Sequence, residues 1–398
     1  MFSSILSAFS GLLGFSKGLD VISNNVANLN TPGFKASELQ FRDLFYRSGL
    51  TRADGRTEQI GEGVGADSTR TKFNQGQFRD TGNPLDLAID GNGFFILQKD
   101  GATFYTRNGQ FDFNSDGILV ERGSQARVLG LRGGRLGEIS VAGLRVSPPR
   151  ATTEVKFTGN LSSGSASHQI TNAQVIDAAG GSHNLTINFT NNNTVASGSW
   201  LIEVQEGTTT VGSGEIRFKG DGSPQTGFNA VTFDFAPAGA PSTAVTLNFG
   251  EPGGVSGSTS FSAGTTSDLR VDTQSGFGVG SLVESSFSET GVLTLKYSNG
   301  QTTTQDQLAL ASFANPQRLT LSGDNLFQVP ADEVPVVAAP SDQGMGKLAP
   351  RQVELSNVEL TEQFTDIVVI QRGFQASSQV ISVANEMAQQ LLDLRARR

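Results

Sequence analysis

Imidazoles, carboxylate pairs and glycine loops are the usual raw material of catalysis, and this sequence offers few of them. The only histidines in 398 residues are His168 and His183, and cysteine is absent. Zinc needs several His, Cys or carboxylate ligands at characteristic spacings. Both histidines lie in polar stretches near glycine and serine with no histidine–carboxylate spacing, so no zinc site is expected. A Ser-His-Asp relay stays open on composition, but no Gly-x-Ser-x-Gly elbow follows a strand-like run. Asp86 and Asp90 alternate on one face of such a run. Four residues along a strand separate them by about 13 Å, too far for a glycosidase pair, and solvated polar positions are expected instead. Asp112-Phe-Asn-Ser-Asp-Gly117 matches the first half of a calcium loop. Its twelfth position is Gly123 where a bidentate Glu is needed, and no helices flank it, so a tight β turn is expected. Gly61-Glu-Gly-Val-Gly65 follows no evident strand, opens no helix and lacks the Lys-Ser/Thr of a phosphate loop. The sequence predicts no catalytic constellation, no cofactor and no metal site, and no enzyme activity.

What the chain does carry is two long apolar rhythms, one at each end. Ile5, Ala8, Leu12, Phe15, Leu19, Ile22, Val26 and Leu29 recur at alternating steps of three and four residues, the seam of a coiled coil. Asn30-Thr-Pro-Gly33 predicts the stop, because the residue before proline avoids helical angles and glycine permits a reversal. Such a rod would be roughly 40 Å long at 1.5 Å per residue. The same rhythm returns in Leu360, Ile367, Ile370, Phe374, Ile381, Ala384, Ala388 and Leu391, with Gln363 and Ser377 as the polar members of the seam. Two matching seams predict a pair of terminal helices with everything else inserted between them. Leu6, Leu13, Val368 and Leu392 lie off the seam, so a two-helix hairpin leaves apolar surface uncovered. Either the hairpin caps the chain's own core, or the helices finish folding only against neighbouring subunits.

Composition sets the class. Net charge is -9 and the basic residues are scattered, Arg395-Ala-Arg397-Arg398 being a small group, so no nucleic acid partner is expected. The absence of cysteine suits a protein that crosses a membrane unfolded and works outside. No unbroken apolar run reaches the length of a spanning helix. Met1 to Phe15 is apolar like a signal peptide, but it lacks a basic n-region and its seam continues past any cleavage point, so it is expected to be retained, without membrane insertion. With 48 glycines and 27 phenylalanines, the interior predicts antiparallel β structure punctuated by turns.

The expected fold class is mainly β with terminal α-helices, in a nested multi-domain chain. Residues 1–35 and 356–398 form the paired helices, and 36–70 a linker in which Phe41, Leu44, Phe45 and Tyr46 anchor a short ordered segment. Residues 71–146 and 278–355 make one β domain from two chain segments. The prolines of Val146-Ser-Pro-Pro-Arg150 mark a boundary, and 147–277, rich in Ser, Thr, Gly and Asn, form an inserted outer β domain.

Leu19-Asp-Val-Ile-Ser-Asn-Asn-Val-Ala-Asn-Leu-Asn-Thr-Pro-Gly-Phe34 resembles the amino-terminal signature of bacterial flagellar rod and hook proteins. Ser356-Asn-Val-Glu-Leu360 followed by Gln371-Arg-Gly-Phe-Gln375 is similar to their carboxy-terminal signature, and Thr81-Gly-Asn-Pro-Leu-Asp-Leu-Ala-Ile-Asp-Gly-Asn-Gly-Phe-Phe95 and Tyr105-Thr-Arg107 also fit. Rod members are generally shorter and lack a large insert. The insert, Tyr297-Ser-Asn-Gly300, Leu308-Ala-Leu-Ala-Ser-Phe-Ala-Asn-Pro316 and Gly323-Asp-Asn-Leu-Phe327 resemble the hook branch. The chain departs from that pattern at Ala331–Arg351 and at Gln352-Val-Glu-Leu355. The resemblance implies a structural subunit, exported unfolded through the flagellar type III apparatus and polymerised helically beneath a cap. It implies a curved hollow tube that carries torque from rod to filament. The implied partners are copies of itself, the hook cap protein, the distal rod protein and the hook–filament junction protein. A straight, stiff rod-type shaft is the alternative within the family.

Overall fold

The computed structural model describes residues 2–44, 46–51 and 57–396. It is mainly β, with one long helix near each end of the chain. Helix α1 spans Phe2–Ala27 and helix α2 spans Leu360–Ala396. The expected amino-terminal helix ran through Leu29. It stops at Ala27 instead: Asn28 N still reaches Asn24 O at 3.2 Å, but Leu29 N turns back only three residues, to Val26 O, and the Asn28 side chain adds a second donor to Asn24 O at 2.9 Å. Leu29 therefore lies in the turn, packed on Phe34, Ala36 and Val358. A second expectation changes here too. Serines and glycines interrupt the apolar run, yet an 18-residue window within Ser4–Ala27 reaches a mean hydropathy of 1.4. By length and composition alone this helix is of membrane-crossing size.

The expected linker is strand. Ser37–Asp43 pairs antiparallel with Val64–Thr71, Ser37 lying opposite Thr71, and Tyr46–Thr51 pairs with Thr57–Gly61. The ribbon forms because α1 gives it a surface to lie on: the Phe15 and Phe41 rings meet at 5.9 Å, and a Cβ on Gly14 would touch both Phe41 and Ala66. Gly61-Glu-Gly-Val-Gly65 thus does follow a strand, and it leads into another strand rather than a helix. Phe45 falls outside the described residues.

The chain divides into two compact units. The first comprises Met1–Ala142, Ser285–Leu295 and Thr304–Arg398. Its nesting is visible in the register: Phe94–Lys99 pairs with its sequence neighbour Ala102–Thr106 and also with Leu310–Ser312. The returning chain closes on the outgoing one where Lys347–Pro350 pairs with Leu87–Asp90, and Gln352–Glu354 with Phe78–Asp80. Phe73, Phe94, Phe313, Phe327 and Tyr105 meet edge-on or tilted at 4.8–5.8 Å, the geometry that ring quadrupoles favour.

The second unit comprises Gly143–Glu284 and Lys296–Thr303. It is a two-sheet sandwich. One sheet runs Ser167–Ile176, Ser182–Asn191, Ser199–Glu206, Thr209–Arg217 in chain order. The other is built on Glu154–Asn160. Alternation such as that of Ala230–Phe235, exposed and buried by turns, sends every second side chain to the core. Trp200, Phe157, Phe189, Phe235 and Phe249 fill it. The expectation of purely antiparallel structure needs correction here, because Glu154–Asn160 runs parallel to both Thr243–Asn248 and Ser258–Thr259. Parallel neighbours require a long crossover, and the four-stranded sheet lies in the chain between them.

Candidate functional site: the helix seam and its root

The groups singled out for chemistry settle into structural roles. His168 Nε2 lies 2.8 Å from Leu269 O. His183 overturns the sequence reading, since it does have carboxylate partners: Asp177 Oδ2 at 2.9 Å and Glu206 Oε1 at 2.6 Å. Partial burial pulls its pKa down, but hydrogen bonds to the two carboxylates outweigh burial and raise it. The sequence hid this because Glu206 is brought alongside only by strand pairing. Asp86 is not solvated as expected. It is buried and paired with Arg122 at 3.0 Å, whereas Asp90 stays exposed. In the calcium-like segment, Asn114 Oδ1 accepts from the backbone N–H groups of Asp116 and Ile118, making a compact turn between strands. Among the described residues no group of three His, Asp or Glu side chains is placed to hold a metal.

The helices pack along a seam that differs in detail from the hydrophobic rhythm. On α1 the buried positions are Ala8, Gly11, Gly14, Gly18, Ile22 and Asn25. Ile5, Leu12, Phe15 and Val26 are half-buried, and Leu19 is exposed because the crossing runs through Gly18 one residue earlier. A Cβ on Gly18 would lie 2.6 Å from Ile370 Cδ1, one on Gly373 would lie 2.4 Å from Phe15 Cζ, and one on Gly11 3.1 Å from Ser377 Oγ. Ile370 and Phe15 therefore each fill a space left by a glycine of the other helix. On α2, Ile367, Ile370 and Ile381 are half-buried and Ala384 is buried, whereas Leu360, Phe374 and Leu391 are exposed. Phe374 yields its place to Gly373. Gln363, one of the two polar seam residues, is buried and accepts from Asn25 Nδ2 at 2.9 Å.

Below the seam three sequence motifs converge on one buried carboxylate. Lys35 Nζ lies 2.5 Å from Glu354 Oε1, both side chains being fully buried, and also donates to Asn74 O. Gly76 N donates to the same Glu354 oxygen at 2.8 Å, and Arg107 Nη1 lies 3.5 Å from Oε2. Burial lowers the pKa of Lys35 and of Arg107, with Glu354 opposing in both cases. Gly33 sits at φ +71°, and a Cβ there would lie 2.5 Å from Asn108 N, so glycine alone fits. Asn357 then ties the entry of α2 to the exit of α1. Its Oδ1 accepts from Ala36 N at 2.7 Å, and its Nδ2 donates to the carbonyls of Lys72 and Asn74. None of these partnerships is visible in the sequence, where Glu354 and Asn357 lie hundreds of residues from the groups they bind.

Three family models match the same regions: the flagella basal body rod protein model over residues 5–35, the flagellar hook protein FlgE/F/G D1 domain over 88–160, and the flagellar basal body rod FlgEFG protein C-terminal model over 350–394. These are shared by rod and hook proteins, so full-length similarity decides between them. The chain is 31% identical to the flagellar hook protein FlgE of Treponema pallidum, covering 99% of this chain and 100% of that one. It is equally similar to the FlgE of Borreliella burgdorferi, at 31% identity over 99% and 100%. The chain belongs to the flagellar hook protein family. A hook protein is a structural component of the bacterial flagellum, and the hook reading stands over the rod alternative. A solved structure of the Helicobacter pylori hook protein FlgE2 is also similar, at 14% identity and a TM-score of 0.48, covering 68% of this chain and 98% of that one.

Proposed function

We propose that this hook protein polymerises helically into a curved hollow tube that transmits torque from rod to filament, with its terminal helices forming the inner wall. The observation that carries this is the apolar surface the paired helices leave uncovered. Leu6, Phe9 and Leu13 on α1, and Phe364, Val368 and Val369 on α2, are exposed. A monomer rarely exposes contiguous apolar surface on this scale without a partner for it. The seam residues from Ile5 to Leu29 and from Leu360 to Leu391 are the proposed assembly interface, within helical segments 1–35 and 356–398. The sandwich, 147–277 in this reading, is the proposed outer domain that governs curvature, because polar contacts exchange partners through water at small cost.

The same reading takes the chain to be exported unfolded by the flagellar type III apparatus to an extracellular position. There it would meet the hook cap, distal rod and hook–filament junction proteins. The deciding experiment is electron microscopy of polymers grown from the purified full chain. Curved, flexible tubes are expected; straight rigid rods, or no polymer under any condition that supports relatives, would overturn the proposal.

A further inference from the structure

The segment Tyr297-Ser-Asn-Gly300 has so far served only as a signature. In the second unit it does something specific. The chain enters the sandwich through Val146–Ser147 and leaves it through residues 278–281. These passages run antiparallel, Val146 opposite Ser281 and Ser147 opposite Gly280, flanked by Leu282 N donating to Arg145 O and by the Arg150–Phe277 bridge. The tip of the 297–300 turn closes over both passages. Tyr297 OH donates to Leu144 O at 2.9 Å on the incoming side. On the outgoing side Ser298 N donates to Ser281 O, and Ser298 Oγ accepts from Ser281 N. Asn299 bridges the two: its Nδ2 donates to Gly278 O at 2.9 Å and to Ser147 Oγ at 3.3 Å, while its Oδ1 accepts from Gln301 N. Gly280 is bare so that Asn299 can come this close, since a Cβ there would lie 2.4 Å from Asn299 Cγ. The sandwich contributes its own abutment. The 177–181 turn sets Gly180 against Pro149 and Val279, with room for no Cβ beside Pro149.

We propose that Asn299 is a positioning residue that clasps the two passages into the sandwich and limits how far the sandwich swings about them. This rests on, and deepens, the reading of the sandwich as the domain that governs bending. A carboxamide is required because one side chain must donate to two acceptors and accept from Gln301 N at once. Asn299→Asp keeps the acceptor and loses the donor, whereas Asn299→Ala loses both.

The test uses the full soluble chain. It has no cysteine, so spin labels at Val195→Cys and Thr303→Cys, both exposed and in this unit, go nowhere else. The parent should give a narrow distance distribution, and both Asn299 variants a broader, shifted one. Emission and melting of Trp200, the sole tryptophan and fully buried in the sandwich, should be unchanged. A distribution that stays narrow, or that broadens only as Trp200 becomes exposed, overturns the proposal. If the Asn299 variants precipitate, Tyr297→Phe removes one bond of the same clasp without changing shape. It should broaden the distribution less, and no change would overturn the proposal equally. Unaltered distances with altered tube curvature would reject the clasp alone. Broadened distances with unaltered curvature would uphold the clasp and reject the sandwich as the bending element.

Discussion

Asn25 Nδ2 and Gln363 Oε1 lie 2.9 Å apart across 338 residues of chain, both side chains buried between α1 and α2. Asn25 also donates to Ser37 O and accepts from Ser37 N. One amide thus fixes the helix pair and the first strand together. A buried polar pair on an otherwise apolar seam sets register at some cost in stability. Asn25→Leu strands the Gln363 amide and is expected to cost about 1–3 kcal/mol. Adding Gln363→Leu should recover stability in urea unfolding while allowing shifted pairings. Engineered cysteine pairs across the seam would then cross-link in more than one register.

The glycines of the seam make a sharper prediction. Gly373→Val forces a side chain into the space of the Phe15 ring. Overpacking of this kind costs about 1–3 kcal/mol, all of it at the helix crossing. Sedimentation should show loss of polymer while Trp200 emission stays native. Ile22→Asp and Ile381→Asp should do the same by burying a charge. Polymers at parental yield from all three would argue against this crossing as an assembly element.

Glu354→Gln would leave two buried cations, Lys35 and Arg107, without their carboxylate. Removing one partner of a buried pair costs about 3–5 kcal/mol. The first unit should unfold at much lower urea, and the Trp200 transition of the second should barely move. A single shared transition displaced as a whole would show that the two units unfold together.

His183 predicts a pH dependence. Its folded pKa is raised above the unfolded 6.5 by Asp177 and Glu206, against the pull of burial. Its contribution is therefore fully present below 6.5 and is lost as pH rises through the folded value. Asp177 acts oppositely: its hydrogen bond to His183 lowers its pKa from 3.8, so its contribution is present above 3.8 and is lost as pH falls through the folded value. Melting of the sandwich, followed by Trp200 from about pH 6 to about pH 9, should fall with rising pH. His183→Gln should flatten that slope.

The rhythm of Ile22, Ile367, Ile370, Ile381 and Ala384 was legible because hydrophobic periodicity reports which faces meet. Gly11, Gly18 and Gly373 were not, since a residue that matters by being absent adds nothing to an apolar count. Asn25 and Asn28 stood only as letters of a signature. Their amides in fact hold Ser37 at the head of the first strand and brace the last helical turn at Asn24 O, and that needs partners the sequence does not name. Glu354, Lys35 and Arg107 were invisible for the same reason. The pairing of Ser37–Asp43 with Val64–Thr71 escaped notice because it is stabilised by Phe15 and Gly14, residues of another element.

The closing of Lys35 and Arg107 on Glu354, where α1 has just ended and α2 is about to begin, also imposes an order in time. Whichever end of the chain is free to fold first, its helix has no companion until the far end arrives. The root closes last, after every strand between has had its chance to pair. A chain wired this way stays unable to stick to its siblings along the finished seam while it is still unfolded, and becomes competent only on completion. Connectivity alone thereby acts as a clock.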